Sequence, residues 1–439
     1  MPYTPGIFSS IGPIWPWNGL APLFIFAAIS IQNADHGLKN LATQQLESIR
    51  DSKKASIQRY FDHISSQVTV LADTQVILQA MFYLPAQVQN YQALADSSDL
   101  TTIRNALEQK YQTLKLNPHS TSKLDGIALM MQNDYLVNNP NTDAERWKLN
   151  KGTSKSAYHA IHASMQPVIH KFIRNAQFND LYLIDQKTDR VLYSVNKGSD
   201  FGVNLTTGSL SQSGLNAVYQ KAKNLKENQT VFSDYSQYAP AQNLPQSFMA
   251  APVIYNGKTL GILVVRMGSE QLNAIMTDNS GMGASGDTFI VGTDFLMRTD
   301  SAKGETHTVL NSFAHPETGL ANYSSVQKAL QDQTGVDLAP SFNQTQVMTA
   351  YTPIDALGTK WALVAELNEQ EALASSSALL KTALITIIIA TLMIMLVAFI
   401  IARSISTPIH KLVETIDNIE KSSNFTLRHP VSGSDEISQ

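Results

Sequence analysis

Carboxylates and tyrosines are the residues of this chain best suited to hold a small molecule. Tyr158, His162, Asp180, Tyr182, Tyr193, Asp200, Asp234, Tyr235, Tyr238 and Ser247 fall within one stretch of about ninety residues. An aspartate can pair with an ammonium group, and aromatic faces attract cations, so this set suits the wall of a pocket for a ligand carrying an amine. The competing reading is that the aspartates cap turns and the tyrosines fill a core. Three histidines invite comparison with a metal site. His159 and His162 are three apart and could share a helix face, but His170 is eleven positions from His159 with Pro167 interrupting the geometry, and no carboxylate is close by in sequence. No metal and no cofactor is therefore assigned. Gly281-Met282-Gly283 does not follow a strand and is loop chemistry rather than a dinucleotide fingerprint. No phosphate loop, nucleophile elbow or zinc-protease motif is found, and no catalytic residue is assigned.

These residues need elements to position them, and hydropathy defines several. From Asp35 to about Tyr83 there is no proline, and Leu38, Leu41, Leu46, Ile49, Ile57, Tyr60, Phe61, Ile64, Val68 and Leu71 recur at helical spacing. The pattern predicts one amphipathic helix of over ten turns, long enough to support two stacked modules or to pair with a copy of itself. Strand-like runs follow. Asp180–Asp185 and Val191–Val195 flank a turn, and Ser247–Tyr255 and Thr259–Met267 flank Asn256-Gly257, a strong hairpin signal. Thr230–Tyr235 is a further strand. A smaller unit repeats the plan: Thr288–Val291 turning into Phe295–Arg298, a helix over Ser324–Gln331, then Val347–Thr352 and Lys360–Glu366 about a turn at Gly358. The fold class expected is α+β.

Thr382 to Ala402 is an uncharged run of 21 residues. As a helix it would span about 31 Å, the thickness of a bilayer's hydrocarbon core, and Lys381 and Arg403 bracket it. It reads as a transmembrane helix. An N-terminal run, Gly19 to Ile31, is short and preceded by Pro13 and Pro16; with no Lys or Arg before Lys39 it reads as a poor first transmembrane helix rather than a signal peptide. Arg403, His410, Lys411, Lys421 and Arg428 put positive charge after the last span, so that side is read as cytoplasmic and the large domain as lying outside it. The chain of 439 residues has a formal net charge of −4 and only 15% charged residues, which excludes a phosphate-neutralising, nucleic-acid-binding protein. Its lack of cysteine excludes disulfides, thiolate zinc and cysteine nucleophiles.

The runs DLYLIDQKTDRVLYSVNKGSDFGVNL, SFMAAPVIYNGKTLGILVVRM, GASGDTFIVGTDFLMRTDS and AYTPIDALGTKWALVAELNEQEA, in this order over about residues 38–372, resemble the double Cache sensor domains of bacterial methyl-accepting chemotaxis proteins. The resemblance implies a membrane-distal and a membrane-proximal PAS-like module on one long helix. Beyond the span, Ile405, Ile409, Leu412, Ile416 and Ile419 form a short heptad seam. With Pro408 and Asp435-Glu436-Ile437 it resembles the start of a HAMP linker, cut before its second helix. The expected division is 1–34 as the N-terminal segment, 35–278 as the long helix and distal module, 279–375 as the proximal module, 376–403 as the span and 404–439 as the partial HAMP linker. In amino-acid-binding members of the family, a tyrosine–arginine–tryptophan pattern precedes an aspartate. Arg146-Trp147 is not followed by the expected tyrosine, so that ligand class is not carried over.

The function implied is that of a chemoreceptor's sensory portion. It would sit in the bacterial inner membrane with a large periplasmic domain and bind a small ligand (an amine, amino acid or organic acid) in the distal module. The partners expected are that ligand, the lipid bilayer, a second copy of the chain, and a downstream kinase and adaptor reached through a cytoplasmic domain. The same ectodomain could instead serve a sensor histidine kinase or a nucleotide cyclase. A membrane-anchored periplasmic enzyme is disfavoured by the want of a convergent acid–base or nucleophile set, and a purely structural dimer would need no pocket.

Overall fold

The computed structural model describes residues 15–372 and 374–422. The chain divides into two compact units, one of residues 43–369 and one of residues 1–42 with 370–439.

Helix α1 runs over Trp15–Ala72, 58 residues, and is followed after a break by α2, Gln75–Gln89. The apolar stripe foreseen in the sequence buries Leu46, Ile57, Phe61, Ile64, Val68 and Leu71. One expectation is corrected here. The helix does not continue to Tyr83 but bends by 58° at Asp73-Thr74. Thr74 is extended, and its hydroxyl donates to the Leu71 carbonyl at 2.7 Å, competing with the helical bond. With neither glycine nor proline at the break, the periodicity runs through it unmarked.

In the larger unit, β1 (Asp180–Asp185), β2 (Val191–Ser194), β3 (Val231–Tyr238), β4 (Leu244–Tyr255) and β5 (Lys258–Met267) form an antiparallel sheet in the order β2-β1-β5-β4-β3. Asn256 and Gly257, both with positive φ, close the β4–β5 hairpin as a twist-matched turn requires. All six residues of β1 are buried because both sheet faces are covered. Leu181 and Leu183 pack into the core shared with α1 and α2, whereas Tyr182 and Ile184 join a second core with Leu107, Tyr111, Leu215 and Tyr219. Helix α3, Tyr158–Asn175, buries Tyr158, Met165, Ile169 and Ile173 against the first of these cores.

A second antiparallel sheet is built from β6 (Asp287–Gly292), β7 (Gly335–Pro340), β8 (Gln346–Ala356) and β9 (Thr359–Asn368), in the order β6-β9-β8-β7. Helix α4, Ser324–Leu330, packs on it. The expected hairpin arm at Phe295–Arg298 is not a strand. Met297 makes a single bridge, to Val291, and the Arg298 N–H donates to the Ile290 carbonyl at 2.7 Å, with Phe295 at a positive φ breaking the run. The fold is α+β, two antiparallel sheets beside one long helix, the plan that the family resemblance implies.

In the other unit, α5 spans Ala374–Ser422 and continues through Pro408. Most of its apolar side chains between Leu384 and Ile401 are exposed, and among the described residues this is the one unbroken helix long and apolar enough to cross a membrane. Asp435-Glu436-Ile437 and the loop before them lie outside the described residues.

Candidate functional site

Where β1 begins and β5 ends, a cavity of about 210 Å³ opens among charged side chains: Asp180, Asp200, Arg146, Arg266 and Asp143, with Trp147, Asn196, Gly198, Ala144 and Pro240 completing its wall. Asp180 is the first residue of β1 and lies opposite Arg266 of β5. Its Oδ1 accepts from the backbone N–H groups of Leu181, Val195 and Asn196, and its Oδ2 from the Ser194 hydroxyl at 3.1 Å. Arg266 Nη2 stands 3.9 Å from Asp180 Oδ2. Burial pushes the Asp180 carboxyl up to about 6 against the pull of Arg266, with Asp200 adding to the rise.

Asp200 is differently placed. Its Oδ2 accepts from Tyr182 at 2.8 Å and Tyr238 at 2.9 Å, while its buried Oδ1 has no partner. Arg266 is also under-used. Nη2 donates to the Asn179 carbonyl at 3.3 Å, and Nε is buried without an acceptor. Burial works against the Arg266 charge, but Tyr182, Asp180 and Asp200 outweigh it and the guanidinium stays protonated. Arg146 comes from the turn at Asp143–Lys148; its Nε donates to the Asn196 carbonyl at 3.3 Å, and Nη1 lies 3.8 Å from Asp143. Trp147 is stacked on His170, ring centroids 3.6 Å apart.

An unpaired buried donor and an unpaired buried acceptor in one wall each cost roughly 1–3 kcal/mol unless something satisfies them. A molecule that presents an anionic group to the guanidiniums and a donor to Asp200 Oδ1 would satisfy both. The cavity can therefore hold a small, oppositely functionalised ligand.

Four of the ten residues foreseen in the sequence belong to this arrangement: Asp180 and Asp200 in the wall, Tyr182 and Tyr238 behind Asp200. Three others form a buried aromatic cluster. Tyr158 donates to the Leu192 carbonyl and Tyr193 to Gln166 Oε1, with His162 between their rings and its Nδ1 2.8 Å from the Asn150 carbonyl oxygen. The remaining three are engaged elsewhere. Asp234 makes a two-pronged ion pair with Arg298, Tyr235 donates to the Gly268 carbonyl, and Ser247 to the Met267 carbonyl. Nothing in the sequence reading places Arg266 or Asp143 in the pocket, and Arg146-Trp147 is weighed there only against the family's amino-acid pattern and set aside, yet all four line the cavity. A signal for Arg266 was present: a lone charge inside the apolar run Leu260–Met267 needs a buried purpose.

His159 and His162 share the rings of Tyr135 and Tyr158, and His170 stands apart from both. His159 meets Tyr135 and Asp134, His162 the tyrosine rings, and His170 the Trp147 ring. Among the described residues no group of three or more histidine, aspartate or glutamate side chains could hold a metal ion.

No family model matches the chain, and no curated protein matches it. Solved structures similar to it are sensor domains. A domain of a Vibrio parahaemolyticus protein designated as sensory box/GGDEF family is 10% identical with a TM-score of 0.41, over 77% of this chain and 99% of that one. The ligand-binding domain of the Pseudomonas aeruginosa chemoreceptor PctC, in complex with GABA, is 19% identical with a TM-score of 0.31, over 52% and 86%. That of the Pseudomonas fluorescens chemoreceptor CtaA, in complex with L-serine, is 14% identical with a TM-score of 0.31, over 64% and 98%. At these scores they are likenesses only, and the functional argument rests on the cavity.

Proposed function

We propose that this chain is the sensory portion of a transmembrane chemoreceptor of the methyl-accepting type, and that its work is binding rather than turnover. The distal module, residues 35–278, takes a small ligand in the cavity of Arg146, Arg266 and Asp200. The proximal module, 279–375, passes the change to the span at 376–403 and the HAMP linker beginning at 404. The protein sits in the inner membrane as a dimer, with the sensor modules in the periplasm and a kinase and adaptor served through a cytoplasmic domain.

One observation carries this reading: Arg266 Nε and Asp200 Oδ1 are buried, unpaired and in residues of the same wall. A carboxylate answers the guanidiniums, and an ammonium or hydroxyl answers Asp200. That pairing extends the amine suggested by the aspartates alone to a ligand with both kinds of group, an amino acid or a hydroxylated organic acid. Binding shifts a conformational equilibrium only by the ligand's differential affinity for its two states, and small helix displacements are enough to carry the change.

The test is a thermal-shift screen of the full chain in lipid nanodiscs against amino acids, amines and organic acids. A ligand at 100 times its dissociation constant stabilises by about 2.7 kcal/mol. A shift is expected with a bifunctional ligand, and Arg146→Ala and Asp200→Asn should each reduce it. Absence of any shift across the panel, or a shift that survives both substitutions, would overturn the reading.

A further inference from the structure

The two sheets use the same position for different chemistry. In the first, Asp180 opens β1 and faces Arg266 near the end of β5; in the second, Asp287 opens β6 and faces Glu366 near the end of β9. The cation of the first pair is a carboxyl in the second. Both members are buried, Asp287 at 2% exposure and Glu366 at 4%.

Asp287 is fully engaged: Oδ1 accepts from the Ala302 N–H at 3.0 Å, and Oδ2 from the Ser301 hydroxyl. Glu366 is not. Its Oε2 accepts from the Ser341 hydroxyl at 2.6 Å, and its Oε1 is buried without a partner. Thr349, opposite Glu366 on β8, brings a hydroxyl toward it without a bond of normal geometry, and the Tyr323 hydroxyl is also buried and unpartnered. Among the described residues no lysine, arginine or histidine bonds or pairs with either carboxyl. His307, in the loop beyond Ser301, is turned to Thr306 and stacked on Phe342.

Two buried carboxylates without a cation repel one another and lack hydration, and neutralising one of them is the inexpensive remedy. We propose that the proximal module is a second sensory input, a proton-binding site at Glu366 whose occupancy sets the integrity of the β6–β9 end of the sheet. On release the proton goes to solvent, leaving two carboxylates face to face across β6 and β9, the latter the strand that leads in sequence to α5. Burial, with Asp287 adding to it and Ser341 opposing, raises Glu366 to about 7. Glutamate in an unfolded chain titrates near 4.3. A folded value above the unfolded one means that the proton's contribution to stability is complete below about pH 4 and is lost as pH rises through about 7. Asp180, raised to about 6, adds a separate loss at lower pH.

Infrared titration of the full chain in nanodiscs reads the protonated carboxyl directly, and denaturant unfolding over the same pH range reads the stability. The expected result is a carboxyl signal that disappears between about pH 6 and 8, together with falling stability. Glu366→Gln should remove the component of both centred at about pH 7, whereas Asp180→Asn should remove only the component centred at about pH 6. Asp287→Asn, which keeps the glutamate, should move the midpoint down by about one unit. A wild-type carboxyl signal that does not titrate in that range would overturn the proposal. So would a folded Glu366→Gln protein with an unchanged pH slope, or an unmoved midpoint in Asp287→Asn. None of these outcomes depends on the distal cavity.

Discussion

Gly198 shows how closely the cavity wall is fitted. A Cβ added there would stand 2.9 Å from Asp200 Oδ1, the acceptor left open. Asp200 cannot swing away freely, because Tyr182 and Tyr238 hold its other oxygen. Gly198→Ala is therefore expected to weaken ligand binding about tenfold, close to 1.4 kcal/mol, while changing unfolding stability by under about 1 kcal/mol. Calorimetric binding with parallel denaturation separates the two, and equal losses in both would count against a binding role for Asp200. The site was only partly legible in the sequence for reasons visible at single residues. Asp180, Tyr182 and Asp200 stand close together along the chain. A regular strand would put Asp234 on the same face as Tyr238, but β3 carries a register shift between Ser233 and Ser236. That irregularity changes the phase of the strand, and Asp234 goes to Arg298 instead. Arg146 and Asp143 reach the cavity from a loop far from β1 in sequence, which no local pattern reveals.

At the scale of elements, the strands with a hydrophobic signature were readable, and those defined by partners were not. The β4–β5 hairpin announces itself through Asn256-Gly257. Strand β7, with the sequence GVDLAP, does not: it is half-exposed, ends in Pro340 and pairs only with β8 at the sheet edge. Contacts between elements suggest how the two sheets are joined. Phe61 of α1, Phe232 of β3 and Trp361 of β9 pack with ring centroids 5.2 to 5.8 Å apart. Arg298, 2% exposed at its side chain and lying over the Phe313 ring, takes Asp234 from β3. Trp361→Ala should cost about 3–5 kcal/mol by cavity formation. Asp234→Asn should cost about 2 kcal/mol, below the 3–5 kcal/mol usual for breaking a buried pair, because Asp294 still bonds Arg298. Urea unfolding of both variants checks the order, and a larger loss from Asp234→Asn than from Trp361→Ala would contradict it.

For the whole molecule, the amphipathic stripe and the uncharged run near the C-terminus were the clearest features of the sequence, and both became long helices. The absence of cysteine makes topology directly measurable. Ala374→Cys should react with an impermeant maleimide on intact cells, and Thr407→Cys only after permeabilisation; labelling of both on intact cells would contradict the proposed span. The central claim is that a small bifunctional ligand is recognised where Arg266 and Asp200 each lack a partner. Its most direct test is an experimental structure of the full chain with the strongest ligand from the thermal-shift panel. The account predicts ligand density between Arg146, Arg266 and Asp200, with its anionic group on the guanidiniums; density elsewhere, with this cavity holding only water, would contradict it.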